Sequence, residues 1–306
     1  MPTRWSRALD PRSAVAAAAC LFGTASVATR LQASTTDPMV LAGWRVAVGG
    51  CALVALSWVA GCPPWRRRAP VASVALGAIS VVGFQVAFFT AVDRLGVTQA
   101  TVLTIGTGPI AAGVMDHVRG RASLTRRWLG GVGSAIVGVA LVAGGSWHPI
   151  WFGWLSAITA GTAFPVYAGV IRDLSSERSH LTAVATVFGG AAPLAAIVAV
   201  QAREPMPTGG ELVALAYVGL VATALAYALW SSALRTIPVR DTVAITMLEP
   251  VTAAILAAAF LGETLRVAAV VGMLAVVGGV VVASTEASPS TARTFGPRRM
   301  RRREVR

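Results

Sequence analysis

Long uncharged apolar runs, separated by short polar segments, recur along the whole chain. They predict ten helices, at about residues 13–29, 38–59, 70–92, 95–115, 128–147, 149–171, 179–202, 212–234, 242–262 and 267–285. Each run is close to the length that crosses the hydrocarbon core of a bilayer, and eight contain no Asp, Glu, Arg or Lys. Polarity does not alternate within them as it does in membrane barrel strands. The pattern therefore predicts an all-α integral membrane protein.

Composition agrees with a lipid environment. Of the 306 residues, 55% are hydrophobic and 13% are charged, and a soluble domain carries about twice that share of charge. The net charge of +13 lies in short clusters between the apolar runs, so we expect no nucleic-acid partner. Cys20, Cys51 and Cys62 have no metal-site spacing, and we expect no metal or cofactor.

The arginines predict the orientation. Both termini and the segments on their side of the membrane carry 21 Arg, and the opposite side carries four. Because cytoplasmic loops hold the excess of positive charge, both termini are predicted to be cytoplasmic, with the chain crossing the plasma membrane several times. The tails are residues 1–12 and 286–306. The Arg-rich second tail is interpreted as an anchor at anionic lipid, with a nucleic-acid arm as the alternative. The first apolar run also resembles a signal peptide.

An internal repeat divides the chain into two halves, residues 13–147 and 148–285. A shift of 141 positions aligns Arg94 with Arg235, Pro109 with Pro250, and a series of glycines, without a gap. It places the fourth and fifth predicted helices on the ninth and tenth. Because five helices per half is an odd number, the halves would cross the membrane in opposite directions. Inverted repeats are typical of transporters, which bind substrate between the halves, and the repeat favours retention of the first run.

In its topology and in several short strings, the chain resembles a known family, the EamA group of the drug/metabolite transporter superfamily. The resemblance rests on the five-plus-five topology and on the strings ALAYALW (224–230), TMLEPV (246–251) and LGETL (261–265), together with an arginine early in the second helix. It covers about residues 13–285. Arg121 and Ala122 depart from it, since they stand where Gly262 and Glu263 stand in the second half. The resemblance implies a secondary carrier, often an exporter, and leaves the substrate class open.

Glu249 is the first candidate for a functional residue. It lies with Thr242 and Thr246 on one face of a predicted helix, and Pro250, which removes a backbone donor, follows it. Removal of a carboxylate from water favours its neutral form, so Glu249 is a candidate for proton coupling and for substrate binding, beside Thr246. The alternative is a protonated side chain that hydrogen-bonds across helices near a kink.

Arg45 is the second charge inside a predicted span. Three roles stay open for it: contact with an anionic substrate group, an ion pair with Glu249, and a side chain that extends outward to the membrane surface. On the predicted boundaries, the direct pair is not favoured.

A few further polar and aromatic side chains could form the wall of an amphipathic cavity. The candidate substrate-binding residues are Gln85, Tyr167, Thr223, Tyr227 and Trp230, which join Glu249 and Thr246. The alternative for each residue alone is ordinary helix packing.

The sequence thus predicts a secondary active transporter of a small metabolite or drug that works by alternating access, as an exporter coupled to protons, and as a single chain. No P-loop string is present, so the energy would come from a gradient. Two alternatives are a non-transporting membrane subunit or scaffold and an intramembrane enzyme. The enzyme would need paired ionisable groups inside the bilayer, which the predicted spans lack, so we expect no enzyme.

Overall fold

The computed structural model describes residues 10–31, 36–64, 68–144, 150–202, 204 and 207–285. The elements in these ranges are helices, and nine of the resulting segments are long and apolar enough to cross a membrane. The prediction of an all-α, multi-pass membrane protein is therefore confirmed, whereas the count of ten is not. The predicted Arg-rich tail lies outside the described residues.

The helices follow one another with short connections. Their bounds are α1 Pro11–Leu31, α2 Pro38–Val59, α3 Val71–Val118, α4 Arg126–Ala143, α5 Trp151–Leu174, α6 His180–Gln201, α7 Gly210–Gly219, α8 Ala226–Ala233, α9 Val239–Thr246, α10 Glu249–Leu261 and α11 Val267–Ser284. Four of them begin after a polar residue whose side chain accepts a hydrogen bond from a backbone N–H of the first turn: Asp10, Asp37, Thr125 and Ser179.

Helix α3 contains the two predicted helices 70–92 and 95–115. Its 48 residues would extend about 70 Å if straight, more than twice the thickness of the hydrocarbon core. Near the middle, Gly96 has φ 78° and ψ 162°, a conformation that glycine adopts without steric cost. The chain therefore changes direction at Gly96, two residues beyond the predicted loop.

Two other predicted helices are interrupted. A π-helical segment, Leu220–Leu225, joins α7 to α8, and π-helical turns are frequent at functional sites. The predicted helix 242–262 corresponds to the span Val239–Leu261, which is interrupted at Met247 and Leu248 between α9 and α10. The physical reason is Pro250, which has no N–H to donate to the Thr246 carbonyl.

Helices α4 and α11 pack closely and antiparallel. A Cβ built on Gly138 would lie 2.5 Å from the Gly272 carbonyl oxygen, and one on Gly272 would lie 2.6 Å from that of Gly138. Gly131 and Gly279 form the same kind of contact, since a Cβ on either one would clash with the carbonyl oxygen of the other. Between these contacts, Ser134 Oγ donates a hydrogen bond of 3.2 Å to the carbonyl of Ala275, 141 positions later. Small residues thus allow two backbones to touch, as in other membrane helix pairs.

Buried charges are more numerous than the sequence predicted. Asp116 at the end of α3, and Arg240 and Asp241 in α9, are each at most 1% exposed. The predicted spans contain two charged residues, Arg45 and Glu249. Asp116, Arg240 and Asp241 join them because α3 ends three residues later, and α9 begins three residues earlier, than the predicted helices.

Candidate substrate site

A small closed cavity lies between helices of both halves of the sequence. It measures ≈ 20 Å³, which is room for about one water molecule, so the site is closed in this conformation. Its lining residues are Arg45, Val46, Val81, Phe84, Gln85, Tyr167, Phe188, Thr223 and Tyr227. Five of the predicted binding residues, counting Arg45, therefore meet at one place.

Arg45 points into the protein. Its Nε donates a hydrogen bond of 2.9 Å to Thr223 Oγ1, which belongs to the π-helical segment. The contact joins α2 to the second half, and it does not fit a side chain that extends outward to the membrane surface. Arg45 lines the cavity, and the other nitrogens of its guanidinium could donate hydrogen bonds to an anionic or carbonyl group of a ligand.

The two tyrosines close the other side of the cavity. Their hydroxyl groups lie 2.8 Å apart in a hydrogen bond, and each side chain is buried. Tyr227 packs on Phe188 with ring centroids 4.3 Å apart and on Phe22 of α1 at 4.9 Å. The wall is thus aromatic with a few polar atoms, which is typical of small-molecule sites.

Trp230 and Thr246 lie beside the cavity and do not line it. Trp230 is fully buried and donates from Nε1 to Thr246 Oγ1 at 3.1 Å. Its ring centroid is 5.8 Å from that of Tyr227 and 5.6 Å from that of Phe164. These two residues connect the aromatic wall to the end of α9 and support it from behind.

Glu249 is the first residue of α10, directly after the break in the helix. Its backbone is packed against α1, because a Cβ on Gly23 would lie 2.7 Å from the Glu249 carbonyl oxygen. The charge of Arg45 acts on the Glu249 carboxylate. The ion pairs and hydrogen bonds found among the described residues include neither a pair between Glu249 and Arg45 nor a bond to the Glu249 carboxylate.

A larger surface groove does not compete with this site. It lies between α2 and α6, has a volume of ≈ 330 Å³ and is lined by Cys51, Val54, Ala55, Trp58, Gly189 and Ala192. Because its lining is almost entirely apolar and Trp58 is exposed, it offers no polar group that would orient a solute.

Sequence reasoning missed the aromatic residues of the wall. Phe84 and Phe188 line the cavity, and Phe22 and Phe164 pack on its tyrosines. Phenylalanine in an apolar helix carries no signal that separates packing from binding. The sequence offered one indication of an aromatic wall, because Phe88 stands three positions after Gln85. In the structure Phe88 stacks on Phe84, with ring centroids 6.1 Å apart.

Comparison with known proteins identifies the family. The sequence matches the EamA-like transporter family over residues 13–144 and again over residues 148–285. The chain belongs to the EamA-like transporter family. The resemblance predicted from the strings in α8 to α10 is thereby confirmed, and the protein is a membrane transporter.

Two relatives and one solved structure illustrate the similarity. The uncharacterized transporter YwfM of Bacillus subtilis (strain 168) is 28% identical over 285 residues, which is 90% of this chain and 94% of the relative. The uncharacterized transporter YyaM of the same strain is 24% identical over 261 residues, 81% of this chain and 85% of the relative. A crystal structure with 20% identity has the same fold, with a TM-score of 0.78 over 90% of this chain and 97% of its own.

Proposed function

We propose that this EamA-like transporter is a secondary active exporter of a small amphipathic metabolite or drug, driven by a proton gradient across the plasma membrane. Both termini lie in the cytoplasm, and one chain is the working unit. Two inverted five-helix halves, residues 13–147 and 148–285, expose the central cavity first to one side of the membrane and then to the other.

The packing of α4 on α11 supports the inverted repeat. The 141-residue shift places α4 on α11, and these equivalent helices run antiparallel. Their contacts are reciprocal, since the shift converts the pair Gly131–Gly279 into the pair Gly272–Gly138. Contacts of this kind are expected across a two-fold axis, and Ser134 would lie close to that axis beside its own equivalent. The length of α3 and its break at Gly96 support a count of ten crossings.

The position of the cavity carries the functional proposal. Arg45, Phe84 and Gln85 come from the first half, and Tyr167 and Thr223 from the second. A rocking motion of one half against the other would therefore separate Arg45 from Thr223 and enlarge the cavity. The present volume admits no metabolite, which is the behaviour of an occluded state between two open ones.

Glu249 is the proposed proton carrier. Its neighbours include a guanidinium and two hydroxyl groups, and no described hydrogen bond ends on its carboxylate, so a structural role across helices has no support in its contacts. Glu249 is the first residue of α10, next to the break at Met247 and Leu248. Binding and release of a proton by Glu249 would change the electrostatic attraction between its carboxylate and Arg45.

The test uses purified protein in liposomes. A tolerance screen on over-expressing cells first selects a solute, and a pH-sensitive dye trapped in the vesicles then reports proton movement when that solute is added. We expect solute flux that follows the imposed pH gradient, and Glu249→Gln should abolish this dependence. Glu263→Gln is the matched control, because Glu263 is exposed and forms an ion pair with Arg30 away from the cavity. Flux that responds equally to the gradient in Glu249→Gln would refute the coupling role.

A further inference from the structure

A second set of buried charges lies away from the substrate cavity. The backbone N–H of Arg240 donates to Asp116 Oδ2 at 2.9 Å, and its Nε donates to Asp241 Oδ1 at 3.1 Å. Its Nη1 donates to the carbonyl of Ser123, and its guanidinium lies over the ring of Trp128, 5.2 Å from the centroid. One arginine therefore joins α9 to α3, to α4 and to the segment between them.

The cluster lies between the cavity and the side of the protein that carries Arg119 and Arg121, the arginine-rich face. Helix α9 leads inward from Arg240 past Val243 to Thr246, which bonds to the aromatic wall. Val243 is 2% exposed and packs next to Gly108 of α3. Outward from the cluster, Arg119 and Arg121 form ion pairs with Asp173 at the ends of α3 and α5.

One atom of the cluster lacks a partner. Asp116 is fully buried, and its Oδ1 forms no hydrogen bond with any described residue. A buried carboxylate oxygen without a donor raises the free energy of the closed arrangement. In an open arrangement water would hydrate it, as it would hydrate Arg240 and Asp241. The unsatisfied oxygen therefore gives the closed arrangement a free-energy cost that opening removes.

The sequence repeat does not reproduce this cluster. Under the 141-residue shift, Arg240 and Asp241 correspond to Gln99 and Ala100, and Asp116 corresponds to Ala257. The three charges are therefore specific to one of the two pseudo-equivalent positions, although the two halves share their backbone pattern.

We propose that Asp116, Arg240 and Asp241 form the gate that closes the cavity from the arginine-rich face, and that this gate opens by separating α9 from the end of α3. The inference rests on the alternating access of the proposed function. The three charged residues do not line the cavity, so the role proposed for them is conformational rather than substrate binding.

The test measures access to a single cysteine behind the gate. Cys20, Cys51 and Cys62 are replaced by alanine, and Val243→Cys supplies the probe, one turn deeper than Arg240. A membrane-impermeant maleimide is applied to membrane vesicles from each face in turn. Arg240 and Asp241 form a buried ion pair, and removing one partner leaves the other uncompensated only while the gate is closed. Arg240→Gln and Asp241→Asn should therefore both favour opening.

We expect each variant to raise labelling from the arginine-rich face about tenfold or more, and Arg240→Lys to restore most of the slow labelling. Glu263→Gln, which breaks an ion pair elsewhere, should leave the rate unchanged. Unchanged labelling in both folded variants, or a rise from the opposite face, would overturn the gate. Labelling needs no transported solute, so this result is separate from a failure of proton-coupled flux in the parent protein.

Discussion

The contact between α4 and α11 gives a quantitative prediction about how the two halves are joined. Gly138→Ala would place a methyl group 2.5 Å from the Gly272 carbonyl oxygen, and Gly272→Ala would place one 2.6 Å from that of Gly138. An ordinary contact needs at least 3.4 Å, so the helices must move apart by nearly 1 Å. Overpacking of this kind costs about 1–3 kcal/mol.

The same helices offer matched controls. A Cβ on Gly133 of α4 or on Gly278 of α11 meets no atom within 4 Å. Alanine at these two positions should be neutral or should stabilise the helix by up to about 1 kcal/mol, because it restricts the unfolded chain.

Thermal unfolding of the purified protein in detergent measures the difference. At roughly 2–4 °C per kcal/mol, Gly138→Ala and Gly272→Ala should each lower Tm by several degrees. Because both changes force apart the same contact, the double variant should lose less than the sum of the single losses. Equal Tm values for the contact variants and the controls would refute the reasoning, as would strict additivity.

Three further predictions concern the cavity and α3. Tyr167→Phe and Tyr227→Phe should each lower the free energy of unfolding by about 1–3 kcal/mol, because one buried hydroxyl loses its partner. The double variant should lose less than the sum of the two single losses, which a double-mutant cycle measured by denaturation would reveal. Arg45→Lys keeps the charge but loses the bond to Thr223, so we expect weaker solute binding with the pH response of flux retained, and Thr223→Val should reproduce part of the loss. Gly96→Ala adds no clash but places a Cβ in a backbone region that essentially only glycine adopts, so Tm should fall by an amount that corresponds to about 1–3 kcal/mol.

The sequence was most informative where one physical rule dominated. Because the hydrocarbon core of a membrane offers the backbone no water, a spanning segment must satisfy its hydrogen bonds as a helix. The run lengths therefore predicted the helices and most of their ends within a few residues. The sequence also brought together five residues that line one cavity, Arg45, Gln85, Thr223, Tyr167 and Tyr227, because a polar side chain in an apolar helix has few favourable places other than a shared cavity. Their role in binding stays a prediction.

The remainder depended on contacts between distant segments. Pro250 indicated a disturbance in the helix, yet the local sequence does not separate a kink from the break that the structure has at Met247 and Leu248. The π-helical segment before Tyr227 has no signature in its composition. Asp116 and Arg240 lie 124 positions apart, and their burial follows from the packing of α3 on α9 rather than from either local sequence.

The central claim is that one cavity between the two halves is reached from both sides of the membrane in turn. A single cysteine at Gln85, in a background without native cysteines, tests it directly, because Gln85 lines the cavity. An impermeant thiol reagent is applied to oriented vesicles from one face and then, in a separate sample, from the other. The account predicts slow labelling from each face. Labelling from one face alone would contradict it.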